Sequence, residues 1–278
     1  MVVKTDYTQI KVEVSDRIGV IKLNRPKALN SYTTTLLTEF INAVRELNDD
    51  PDTVFTVLTG EGRFFSAGAD ITDSENLRSS DAFETVTEAK LAYATSLFPG
   101  TELVRQLIDH KKVLILALNG PAVGAGAAWF AGLADIVLAV ESAFLHVPFS
   151  ALGIVPENGC VRNISQTIGV HRTNDFLMFG RKLKAPELEQ WGLVNRIFPA
   201  ESFHGKVMEF LKQKLEENDG QSMILAKQLQ NAGLRSERII SLYDSADALA
   251  ERFASGAPTE RFMKKFMELA EKKGSSRL

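Results

Sequence analysis

Apolar and polar positions alternate through Thr8–Val14 and again through Ile18–Leu23, with Ser15, Asp16 and Arg17 between them, so residues 8–23 are predicted to form a β-hairpin. Pro26 ends strand pairing and the period changes. Leu36, Leu37, Phe40, Ile41, Val44 and Leu47 recur at helical spacing between a threonine-rich start and a stop at Pro51. The run Thr53–Thr59 predicts a strand closed by Gly60-Glu61-Gly62, and Phe64–Asp70 a glycine-containing loop; the polar stretch Thr72–Ser80 has little periodicity and is expected to be mobile. The plan then repeats: a helix through Thr101–His110, a strand at Val113–Leu118, a loop at Asn119–Gly126 and a small-residue helix at Ala127–Ala134. Asp135–Val140 and Ala143–Val147 supply two more strands. From Ala185 onward the pattern is almost wholly helical, ending in the amphipathic runs Ser241–Phe253 and Thr259–Lys273. The expected architecture is an α/β core with a helical C-terminal part.

Composition narrows the function classes. A chain of 278 residues with 45% hydrophobic and 24% charged residues can bury a large core, and a net charge of −3 argues against nucleic acid as a partner. A single cysteine, Cys160, excludes an internal disulfide framework; neither it nor the four histidines has metal-ligand spacing, so no metal is expected. The N-terminus lacks the apolar core of a secretory signal, so the interior of the cell is the expected compartment. Val113–Ala134 is uncharged and long enough to cross a bilayer. Asn119, Gly120, Pro121, Gly124 and Gly126 interrupt it at the centre, and it is read as strand, loop and buried helix without a membrane span.

Three features could carry chemistry. The loops Phe65–Asp70 and Asn119–Gly126 each close a buried strand and could present free backbone N–H groups to a developing oxyanion, although Gly68, Gly124 and Gly126 could equally serve only tight turns. Gly124 and Gly126 imitate the start of a dinucleotide fingerprint, but Trp129 stands where the third glycine belongs and Asp135 comes too early for a ribose-binding acid, so no nicotinamide cofactor is expected. Glu157 lies in Ser150–Arg162 between an apolar run and an Asn-Gly turn, with no basic residue within four positions. Such an acid either caps the helix that follows or is a carboxylate held in apolar surroundings for proton transfer.

Five stretches in order, IKLNRPKALNS (Ile21–Ser31), GRFFSAGADI (Gly62–Ile71), ALNGPAVGAG (Ala117–Gly126), ADIVLAVESAFLHVP (Ala134–Pro148) and LGIVPENG (Leu152–Gly159), resemble the enoyl-CoA hydratase/isomerase, or crotonase, family. Within it the chain looks most like the peroxisomal Δ3,Δ2-enoyl-CoA isomerases. The resemblance implies a crotonase-like spiral of ββα units over residues 1–200 and a helical trimerisation region over 201–278. It also implies an acyl-CoA thioester as substrate, with CoA part of that substrate rather than a separate cofactor, and a homo-oligomer that is a trimer or a dimer of trimers.

By the same resemblance the oxyanion hole falls to the backbone N–H groups of Ala69 and Ala125. The substrate's CoA portion falls along Lys27, Ala28, Ala67, Gly68, Asp70, Ile71 and Gly124, with Lys27 also readable as a solvated surface charge. The two glutamates with which the family's hydratases add water correspond to Ala128 and Phe149, which cannot transfer protons. The isomerases' single glutamate corresponds to Glu157, implying a proton shuttle that moves a C3=C4 double bond to C2=C3. Asn158 and Cys160 depart from the small residues usual there. Cys160 is expected to be a buried hydrophobe and His146 a packed residue. The C-terminal Ser276-Arg277-Leu278 resembles the tripeptide read by the peroxisomal import receptor, which implies a peroxisomal location.

Overall fold

The computed structural model describes residues 6–70 and 83–262; Ile71, the polar stretch Thr72–Ser80, most of the last amphipathic run and Ser276–Leu278 lie outside the described residues. The expected hairpin is present. β1 (Ile10–Ser15) and β2 (Ile18–Leu23) pair antiparallel through Asp16 and Arg17, both at positive φ, the geometry of a tight two-residue hairpin turn. The helix α1 (Thr34–Asp49) follows; the Thr33 side chain caps it by accepting from the Leu36 N–H, and its Leu36, Phe40, Ile41, Val44 and Leu47 face the core.

β2 continues in parallel to β3 (Phe55–Gly60) and β3 to β4 (Val113–Leu118), with Phe55 opposite Val113. The two repeated units read from the sequence are therefore neighbours in space. β3 and β4 are buried along their whole lengths, which is why they read as continuous apolar runs rather than alternating ones. β6 (Ile136–Val140) and β9 (Arg196–Phe198) complete a six-stranded sheet ordered β1-β2-β3-β4-β6-β9.

A second, smaller sheet consists of β5 (Ala122–Val123), β7 (Phe144–His146) and β8 (Lys182–Lys184). Isolated parallel bridges Tyr32–Ala69 and Ser66–Ala122 extend the same pairing backwards along the chain. Each turn of chain thus gives one strand to the large sheet, one to three residues to the small one, and then a helix. That repeat is a spiral of ββα units.

Further helices include α2 (Val86–Ile108), α3 (Ala125–Ala128), α4 (Cys160–Ile168), α5 (Val170–Met178), α6 (Ala185–Trp191), α7 (Phe203–Glu217) and α8 (Gly220–Ala254). α2 begins well before Thr101, at a Thr85/Glu88 capping box, and runs through Pro99. The long α8 packs along α2 and against α4.

The segment after Ala185 is almost wholly helical, as expected, with Arg196–Phe198 leaving the helical run to pair with β6 as an edge strand. One expectation is corrected. The small-residue helix through Ala134 is α-helical only over Ala125–Ala128 and continues as turns. Gly132 lies where a Cβ would stand 2.5 Å from the Asn163 carbonyl carbon, so this segment packs backbone against backbone on α4. Among the described residues no helix is long and apolar enough to cross a membrane.

Candidate active site

The first two family-like loops are sewn together by hydrogen bonds that satisfy buried backbone. Leu29 and Asn30 take left-handed conformations, and the Asn30 carboxamide accepts from the Arg25 N–H while donating to the carbonyls of Glu61 and Phe64. Ser66 Oγ donates to the Asn30 carbonyl, and the Ala67 N–H donates to the Leu29 carbonyl. Arg25 Nη1 reaches the Ser31 carbonyl at 2.6 Å and Asp70 Oδ2 at 3.0 Å; Ser31 Oγ donates to the same Asp70 oxygen at 3.0 Å. Asp70 is buried and its carboxylate is occupied in tying the loops, while Lys27 is exposed on the turn Pro26–Ala28 and Ala28 and Ala67 are half-buried.

Gly68 sits at φ +87, where an added Cβ would lie 2.8 Å from the Val123 carbonyl oxygen and 3.3 Å from the Ala125 nitrogen. Only glycine lets these loops approach so closely. Tyr32 donates its N–H to the Gly68 carbonyl and accepts from the Asp70 N–H, so the Ala69 N–H points away from this bridge. On the facing loop the Gly124 N–H is spent on the His146 carbonyl at 2.8 Å, while Ala125 stands at the first position of α3. Among the described residues neither the Ala69 nor the Ala125 N–H has a protein acceptor.

Glu157 is buried, and Trp129 Nε1–H donates to its Oε1 at 3.1 Å. Burial pushes the carboxyl up from 4.5 to about 7, against a smaller opposing effect of the indole N–H. The indole stacks on Tyr32 with centroids 5.3 Å apart, and the Trp129 backbone N–H donates to the Ala125 carbonyl. Tyr32 also bridges to Ala69. A chain of contacts thus runs from Ala69 through Tyr32 to Trp129, and from Trp129 to both Ala125 and Glu157.

The turn bearing Glu157 has two successive left-handed residues, Asn158 at φ 50 and Gly159 at φ 71. Thr101 Oγ1 of α2 donates to Asn158 Oδ1 at 3.0 Å, and the Gly159 N–H donates to Ser245 Oγ of α8 at 2.7 Å. Among the described residues no side chain caps α4, so Glu157 is not its capping residue. Cys160 is fully buried, and burial drives its thiol up, away from reactivity. Ala128 and Phe149 are buried, with Phe149 packed beside Gly124. His146 is half-buried in β7, where burial lowers its basicity. A separate groove of about 740 Å³ lies between Val155–Pro156, α4, α5 and α8 and is lined by none of Glu157, Ala69 and Ala125.

Sequence reasoning passed over Trp129, Tyr32, Thr101 and Ser245. One signal was available for Trp129: a buried indole must find an acceptor for its N–H, and the nearby carboxylate of unexplained purpose was Glu157.

The enoyl-CoA hydratase/isomerase family profile matches residues 13–273. A probable enoyl-CoA hydratase of Mycobacterium bovis is 34% identical over 70% of this chain and 70% of its own length. The Δ(3,5)-Δ(2,4)-dienoyl-CoA isomerase of Pyricularia oryzae is 31% identical over 91% of this chain and 94% of its own. Among solved structures, an enoyl-CoA hydratase/isomerase from Mycobacterium paratuberculosis superposes with a TM-score of 0.80 at 26% identity, covering 92% of this chain and 98% of that one. With the spiral of ββα units and the paired loops in place, these similarities make the chain a member of the enoyl-CoA hydratase/isomerase family.

Proposed function

We propose that the protein is a Δ3,Δ2-enoyl-CoA isomerase with Glu157 as its proton shuttle. The observation that carries this reading is a buried carboxylate, pushed up to about 7 by its burial, in a chain where the resemblance sets Ala128 and Phe149, both buried, at the positions of the hydratases' two glutamates. Among the described residues Glu157 feels no second carboxylate.

In this reading the thioester carbonyl oxygen of the substrate lies between the Ala69 and Ala125 N–H groups, with its CoA portion along Lys27, Ala28, Ala67, Gly68, Asp70, Ile71 and Gly124. Ionised Glu157 takes a proton from C2. The electron pair delocalises over the diene and the thioester oxygen, where two preorganised donors stabilise it at no cost of reorganisation. Protonated Glu157 then returns the proton at C4, which leaves the double bond at C2=C3 and the carboxylate ionised for the next cycle. A carboxyl near neutrality is suited to both halves of this exchange, since it is neither too weak a base nor too weak an acid. Adding water needs a second acid–base group, which Ala128 and Phe149 do not supply.

Incubation of the protein with a 3-enoyl-CoA in deuterated water, following bond position and mass, tests this directly. The expected product is the 2-enoyl-CoA, with deuterium entering at the exchanged carbons and no hydroxyacyl-CoA. Water addition to a 2-enoyl-CoA would make the protein a hydratase, and absence of both bond migration and C2 exchange would make it an acyl-CoA-binding protein without catalysis. The name of the Pyricularia relative favours one second reading, a 3,5-dienoyl-CoA substrate. The same incubation with that substrate separates the two. A trimeric or hexameric assembly and a peroxisomal location belong to the proposal as well; imaging of N-terminally tagged protein with and without Ser276–Leu278 tests the location.

A further inference from the structure

Trp129 has a part in this site that reaches beyond packing. Its Nε1–H lies 3.1 Å from Glu157 Oε1, and an indole can only donate, so it holds the carboxyl group in either protonation state without itself exchanging a proton. The ring is fixed on several sides. Tyr32 stacks on it at 5.3 Å, Phe130 is tilted against it at 6.4 Å, and Gly100 of α2 leaves the space it fills. A Cβ at Gly100 would stand 2.6 Å from Cη2 of the indole. Such a glycine within a helix weakens the helix, and here its absent side chain is what lets the indole reach Glu157.

We propose that Trp129 is a positioning residue that pins Glu157 through Oε1 and thereby leaves Oε2 as the oxygen that carries the proton between C2 and C4. This rests on the reading of Glu157 as the shuttle. A carboxylate with two free oxygens could rotate and present either one. A carboxylate held at one oxygen by a ring that cannot move presents the other in one direction, and a 1,3 proton shift needs the same oxygen to face both carbons. The charged hydrogen bond also favours the ionised form and so opposes the effect of burial. The titratable groups that face Glu157 do not compete for this role. Tyr32, before α1, and Cys160, at the start of α4, are both held neutral by burial, while α2 presents Gly100 and Thr101 to this neighbourhood and α8 presents Ser245 to the Gly159 N–H.

The test is Trp129→Phe, which keeps an aromatic ring against Tyr32 and removes the N–H. With substrate saturating, kcat is expected to fall by at least about 10-fold with KM little changed, and the ascending limb of the kcat/KM pH profile to move up by about one pH unit. A purely structural role would lower the melting temperature and leave that midpoint in place. Gly100→Ala supplies a second variant, with the N–H present but the ring displaced, and the same upward movement is expected. A readout independent of turnover is tryptophan fluorescence in a Trp191→Phe background, where Trp129 is the sole indole. Its emission should titrate with a midpoint near pH 7 and lose that transition in Glu157→Gln. Folded Trp129→Phe protein with an unmoved profile and normal kcat would overturn the inference. Near-normal turnover by Glu157→Gln would be a different failure, removing the shuttle itself.

Discussion

Glu157→Gln is expected to lose at least about 100-fold in the isomerisation of a 3-enoyl-CoA and, at pH 8, to melt at a higher temperature than the unaltered protein. The two effects have one cause. In the folded chain burial raises this carboxyl from 4.5 to about 7, so folding favours its protonated form. Below pH 4.5 the group is neutral in both folded and unfolded chains and burial carries no ionisation penalty. As pH rises from 4.5 through 7 the unfolded chain releases its proton first, and stability falls. Above pH 7 the loss is complete, with an upper bound of about 3 kcal/mol from the separation of the two values. Glutamine never ionises and escapes the loss, although its buried amide N–H groups, lacking an acceptor, return about 1 kcal/mol or more of it. Melting followed from pH 4 to pH 8 should therefore show Glu157→Gln gaining stability relative to the unaltered protein as pH rises, with its advantage largest at pH 8. Retained turnover would remove Glu157 from the chemistry. Lost turnover with a lowered melting temperature at pH 8 would mean that the carboxylate serves the fold.

That pairing of penalty and activity also explains what the sequence made legible. Glu157 was conspicuous because an acid without a basic neighbour, beside an apolar run, breaks the local pattern, and sites that break a local rule are often functional. The strands β3 and β4 were legible because buried parallel strands carry uninterrupted apolar runs, and α1 because one face repeats at helical period. β5, β9 and the bridges at Tyr32–Ala69 and Ser66–Ala122 were not, since one to three residues hold no period and their conformation is set by partners far along the chain. The same limit hid the support of the site. Thr101 and Ser245 meet Asn158 and Gly159 only after α2 and α8 have packed, at separations of 57 and 86 residues. Asp70 falls along the ligand by resemblance; that its carboxylate also accepts from Arg25 and Ser31 is a pairing that spacing alone does not reveal.

Ala125→Pro is expected to cost about 3 kcal/mol of transition-state stabilisation, a fall in kcat of roughly 100-fold or more, while leaving the fold and CoA-ester affinity close to normal. Ala125 is the first residue of α3, the helical position where proline is best tolerated, because the N–H it lacks makes no bond within the helix. The substitution therefore removes a donor that the described structure spends on nothing else. Gly124 before it adopts φ 56, a conformation that a proline neighbour restricts less at glycine than at any other residue. Ala69→Pro makes the companion test, since in the Tyr32 bridge the hydrogen bonds are carried by Gly68 and Asp70 and the Ala69 N–H takes no part. If both donors hold one oxygen as charge develops on it, each variant should lower kcat with little change in KM, because the donors act more strongly on the dienolate than on the bound ester. Circular dichroism and binding of a non-reactive acyl-CoA must accompany the kinetics, so that a displaced loop is not taken for a lost donor. A folded Ala125→Pro protein that binds the ester and isomerises at the normal rate would exclude this N–H from the oxyanion hole, and the close approach of the two loops at Gly68 would then be a matter of packing alone.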